Sequence, residues 1–152
     1  MTIRTGVVPE DANLCANIWV RALAARDGSV DEQAMAEWVR KSLAIPSVRF
    51  SVATAPRLGF ALVETVNDAP TVAYLHFVAV DPDGVGGGVG RALLADAIHH
   101  SRKQGYASLE LEVRDVNSRA IELYERAGFV AMGDPSPHPI AGYPMQRYGL
   151  TL

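Results

Sequence analysis

Cysteine is almost absent. Cys15 is the only one among 152 residues, so no disulfide can close within the chain. With no secretory leader visible behind Met1–Arg4, the expected setting is a reducing cytoplasm. Long apolar runs are also missing. None approaches the roughly 18–20 residues of a membrane span, so no membrane partner is expected. Basic charge is not in excess: 14 Lys and Arg stand against 17 Asp and Glu, a net charge of −3. That balance argues against a general nucleic-acid binder, which needs a basic patch or stripe. Repeats, low-complexity tracts and linkers are lacking as well, so residues 1–152 are expected to form a single domain.

The residues that are present divide by period. Residues 2–8 read as a short strand ended by Pro9. From Glu10 to about Arg26, Leu14, Cys15, Ile18 and Ala22 recur at helical spacing, until Asp27-Gly28 breaks the pattern. Ser29 and Glu32 have the spacing of a capping box opening a second helix, which stops before Pro46. Its apolar face would carry Met35, Trp38 and Val39, with Ser42. Residues 49–54, 58–66 and 71–80 are strand-like. The last of these is apolar almost throughout, so it reads as a central strand buried on both faces.

Residues 89–104 form the clearest helix, with Gly105 as its stop. A strand at 107–113, a helix at 118–127 and closing strands at 129–132 and 146–152 follow, the last two joined by a Pro-rich loop. This order predicts an α/β (α+β) domain: a mixed sheet with helices on both faces.

The segment VDPDGVGGGVGRALL, from Val80 to Leu94, runs a buried strand into glycines that open an amphipathic helix. The first N–H groups of a helix have no intrahelical acceptor and lie at its positive end. Glycines let a phosphate approach them, so the segment reads as a pyrophosphate cradle to which Arg91 can add a charge. It is not a P-loop, because Gly90-Arg91-Ala92 replaces Gly-Lys-Ser/Thr, and no frame gives G-x-G-x-x-G. ATP and NAD are therefore disfavoured.

The segment does fit Arg/Gln-x-x-Gly-x-Gly/Ala, and it resembles the acetyl-CoA motif of the GNAT acetyltransferase superfamily. The resemblance implies a mostly antiparallel sheet of six to seven strands, its central strands splayed where acetyl-CoA binds, and no metal. Val85, Gly86, Gly87, Gly88, Val89, Gly90 and Arg91 would hold the pyrophosphate. Backbone groups of Val78, Ala79 and Val80 would stabilise the oxyanion. Val85 stands where the pattern has Arg or Gln, which removes a side-chain contact but leaves the backbone N–H.

A second match follows in LELEVRDVNSRAIELYERAGF, residues 109–129. It is similar to the branch containing the N-terminal acetyltransferases of ribosomal proteins. By that resemblance Asn117 contacts the pantetheine arm, Tyr124 protonates the leaving thiolate and Glu112 is the general base. The chemistry is sound in itself, since a phenol can donate to a thiolate and a glutamate can accept a proton through water. The residues alone leave other readings open. Tyr124 fits a core position, Asn117 fits a helix cap, and Glu110 and Glu112 fit a solvated strand face. His76 and Asp115 are rival bases, and Cys15 reads as a buried thiol.

The acceptor is the least legible part. An amine-bearing small molecule or a peptide N-terminus both suit the reading, as does a homodimer. Tyr143, in the loop at 133–144, is a candidate for the acceptor pocket, although it fits a scaffold role equally well. A non-catalytic acyl-CoA-binding module is the alternative function, with Val85 in its favour.

Overall fold

Two apolar layers, one on each face of a sheet, explain the order of elements in the computed structural model, which describes residues 1–139 and 141–152. The chain forms β1 (Ile3–Thr5), α1 (Ala12–Asp27), α2 (Glu32–Leu43), β2 (Arg49–Ala53), β3 (Gly59–Thr65) and β4 (Val72–Val80). A 3-10 turn at Pro82–Gly84 leads to α3 (Val89–Lys103), β5 (Ser108–Arg114), α4 (Ser118–Arg126), β6 (Val130–Pro137) and β7 (Pro144–Thr151). The expected sequence of elements is the observed one.

The strands lie in the order β1-β2-β3-β4-β5-β7-β6, and only β4 and β5 are parallel. That one crossover is made by α3, as a parallel pair requires.

One layer packs α1 and α2 through Cys15, Ile18, Val39 and Leu43 onto Phe60, Leu62 and Phe77. The other packs α3 through Leu93, Leu94 and Ala97 onto Val63, Leu75, Leu109 and Leu111, with α4 leaning on its edge. Burying each large apolar side chain contributes about 1.5–3 kcal/mol. Across this layer, Arg49 of β2 grips Asp96 of α3 in a two-pronged ion pair at 2.8 and 2.9 Å, with little of either side chain exposed.

β3 alternates without interruption, but β4 does not. Leu62 pairs with Phe77 and Val63 with Leu75, which leaves His76 as an extra residue. At this bulge the faces exchange. Ala73 and Leu75 join the α3 layer, whereas Phe77 and Ala79 join the α1–α2 layer.

Three local expectations need correction. The cap of α2 is Asp31, whose carboxylate accepts the Ala34 N–H at 3.1 Å, and not Ser29. β4 is not buried on both faces: Tyr74, His76, Val78 and Val80 remain half-buried. Val78 and Val80 line the opening described below, which keeps protein atoms away from them. The late loop is shorter than expected, because β6 continues to Pro137 past an irregularity between Met132 and Ser136. β6 is an edge strand, where a proline has no ladder bond to lose. Among the described residues, no helix is long and apolar enough to cross a membrane.

Candidate active site

The parallel pairing of β4 and β5 is brief. Val72, Ala73 and Tyr74 face Ser108, Leu109 and Glu110, and there the register ends. Beyond it the strands diverge, leaving Leu75–Val80 without a β5 partner. The resulting cleft has a volume of about 1460 Å³. Val78, Ala79 and Val80 form one wall, and Asn117, Ala120, Leu123 and Tyr124 of α4 form the other. Val85, Gly86, Gly88, Val89, Gly90 and Arg91 close one end.

The backbone makes that end fit for an anion. Gly86 and Gly88 hold φ at 91° and 82°, a region that L side chains rarely adopt. Gly88 is the N-cap of α3 and has no side chain to cap it, so the first N–H groups of the helix stay available. Among the described residues no backbone acceptor takes the N–H of Gly86 or Gly88. Gly90 faces α4: a Cβ there would meet Leu123 at 3.5 Å and Val80 at 3.7 Å, ordinary van der Waals distances, so space alone does not demand glycine. The nearby carboxylates Asp81 and Asp83 are both paired with Arg21 of α1, at 2.6 and 3.0 Å. A pyrophosphate therefore meets open donors and no unpaired acid at the loop.

Asn117 caps α4, accepting the Ala120 N–H at 3.4 Å, and also lines the cleft. Tyr124 stands further down α4 on the same wall, its ring 5.9 Å from Phe129. Burial pushes its phenol up to about 12, so it is protonated at neutral pH and available as a donor.

Glu112 does not line this wall. On β5, Leu109, Leu111 and Val113 enter the α3 layer, so Glu110 and Glu112 project from the opposite face. Arg147 of β7 reaches both, Glu112 at 3.0 Å and Glu110 at 3.6 Å. Glu64, Tyr74 and Glu110 are register neighbours across three strands. Burial, then the charge of Glu112, pushes the Tyr74 phenol up to about 12. His76 contacts Glu64 and stacks on Phe77, and Trp38 of α2 stands edge-on to it at 5.1 Å. This second face is thus rich in carboxylates and aromatic rings.

The remaining candidates separate from the site. Gly87 is absent from the cleft wall. Asp115 is exposed. Cys15 is fully buried, and burial pushes its thiol up to about 12, which removes it as a nucleophile at neutral pH. Tyr143 lies under the Arg114 guanidinium at 4.3 Å, and not on the cleft wall. Sequence reasoning missed Arg21 and Arg147. Each acts through a pairing distant in sequence, and no local pattern marks it.

Known proteins are similar to this chain in sequence and in fold. The chain is 49% identical over 70 residues to the [ribosomal protein bS18]-alanine N-acetyltransferase of Escherichia coli, a match covering 46% of this chain and 45% of that enzyme. It is 29% identical over 136 residues to the mycothiol acetyltransferase of Rhodococcus opacus, covering 85% of this chain and 45% of that one. The chain thus spans under half the length of these curated relatives. The crystal structure of the E. coli ribosomal-protein-S18-alanine N-acetyltransferase superposes with a TM-score of 0.74 at 28% identity, over 99% of this chain and 92% of that one. The model of the acetyltransferase (GNAT) family matches residues 19–129, a span that holds the glycine loop, the divergent strands and the Tyr124 helix together. On that match, this chain belongs to the acetyltransferase (GNAT) family.

Proposed function

We propose that this protein is an N-acetyltransferase that moves the acetyl group of acetyl-CoA to a primary amine within a ternary complex. The observation that carries the reading is the cleft between β4 and α4, opened where β4 parts from β5, with open N–H donors at its glycine end and a protonated phenol on its wall. Gly86, Gly88 and the first turn of α3 hold the pyrophosphate. The unpaired edge of β4 accommodates the pantetheine arm, with Asn117 opposite. Backbone groups at Val78–Val80 steady the oxyanion.

The acceptor approaches from the α1–α2 face. Its amine attacks the thioester carbonyl while its proton passes to Glu112 or to water. Tyr124 gives its proton to the departing sulfur. The carboxylates and rings around Tyr74 suit a cationic amine. An α-amine is easier to deprotonate than a lysine, with a pKa of about 8 against about 10.4, and the names of both curated relatives are those of N-acetyl or acetyl transferases. The acceptor class is therefore a small-molecule amine or a peptide or protein α-amine.

The test is the melting temperature with and without acetyl-CoA, with ATP and NAD as controls. Donor at about 100 times its Kd adds about 2.7 kcal/mol, a shift of several degrees in a domain of this size. A shift with acetyl-CoA alone, followed by turnover in an amine panel, supports the proposal. No shift at saturating donor overturns it, and binding without turnover on any amine leaves a binding module.

A further inference from the structure

Gly87 raises a question that its backbone does not answer. Gly86 and Gly88 need glycine for their positive φ, but Gly87 does not share that conformation. What its missing side chain permits is an approach. A Cβ on Gly87 would fall 2.6 Å from the guanidinium carbon of Arg57, and one on Gly84 would meet the Arg57 Cβ at 3.3 Å. Arg57 comes from the turn between β2 and β3, far away in sequence, and lies along the glycine loop with its head group over Gly87, beside the cleft and not on its wall.

That head group is uncommitted. Arg21 is held by Asp81 and Asp83, but Arg57 has no carboxylate or hydrogen-bond partner among the described residues. A free guanidinium brought against a loop of open N–H groups is a ready phosphate ligand, able to offer two parallel donors. Val85, on the same loop, contributes no charge.

We propose that Arg57 is a phosphate-binding residue for the donor, supplying the glycine cradle with a side-chain cation from the β2–β3 turn. Gly87 is kept small to admit it. The inference rests on the acetyl-CoA reading above and adds a residue to it.

Calorimetric Kd values for acetyl-CoA and for acetyl-pantetheine, which lacks the pyrophosphate, test it. Arg57→Ala should weaken acetyl-CoA about tenfold, the size of one charge-assisted contact, and flatten the salt dependence of binding. Acetyl-pantetheine should bind as before, and Arg57→Lys should recover part of the loss, restoring the charge without the paired donors. Gly87→Ala should imitate Arg57→Ala, and the two together should cost little more than either alone. Equal loss for both ligands, or unchanged acetyl-CoA binding in Arg57→Ala, overturns the proposal while the donor reading stands. If the wild-type protein binds neither ligand, the donor reading fails and takes this one with it.

Discussion

Arg147 on β7 donates to Glu112 on β5 at 3.0 Å, directly across the antiparallel register that pairs the two residues. The carboxylate proposed as base is thus held in place by the neighbouring strand, on the sheet face from which an amine would come. If Glu112 takes the proton, Glu112→Gln should lower kcat about 100-fold or more at neutral pH and leave acetyl-CoA binding unchanged. Glu110→Gln, one rung away on the same face, should keep near-normal activity. Steady-state rates on one amine separate the two, and a loss below about threefold in Glu112→Gln would hand the role to water.

Tyr124→Phe should cost about 10²–10⁴ in kcat if the phenol is the acid. The acetyl-CoA Kd should barely move, because the ring keeps its packing against Phe129. Turnover at the wild-type rate would end that assignment.

The same variant has a pH signature. The Tyr124 phenol is raised from 10.0 to about 12 in the folded state. The native protein therefore retains a proton that the unfolded chain releases. This stabilisation is complete below pH 10.0 and is lost as the pH rises towards 12. Tyr124→Phe should show a shallower fall in stability across that window, measured by denaturant titration at several alkaline pH values. Tyr74 is raised to a similar value, so part of the slope should persist.

Gly88→Ala places a methyl group at φ 82°, with no steric contact to blame for the result. The strain should cost about 1–2 kcal/mol of stability, and acetyl-CoA should bind more weakly as the loop relaxes. Thermal melts with and without donor measure the two effects separately.

Asp96→Ala strips the carboxylate from Arg49, whose side chain is only 12% exposed and keeps just the neutral Thr5 hydroxyl at 2.7 Å. An uncompensated, largely buried charge costs about 3–5 kcal/mol, so the melting temperature should drop by roughly ten degrees. Replacing both residues with apolar ones of similar size should restore much of the loss.

The parts of this protein legible in its sequence are those whose physics is local. Gly86–Arg91 reads as a cradle because the strand, glycines and helix start are contiguous. Asn117 and Tyr124 share one helix, so their spacing alone puts them on related turns. Asp31 and Ser29 could both cap α2, and the choice fell to the residue whose carboxylate reaches the Ala34 N–H. The extent of β6 depended on its place at the sheet edge, which composition does not reveal. Arg147 and Arg57 were illegible for a stronger reason. Each meets its target through strand order or a turn packed against a distant loop, and nothing beside them in the chain records it.

His76, the unmatched residue of β4, acts as a change of phase within a single strand. Before it, odd-numbered residues supply one layer, and after it they supply the other. Deleting the position would make Leu75 and Phe77 neighbours on opposite faces, as their β3 partners Val63 and Leu62 already are, so both layers and every pairing would survive. Neither core needs the extra residue. What it adds to the strand beside the cleft is the imidazole itself, set against Glu64 and Trp38.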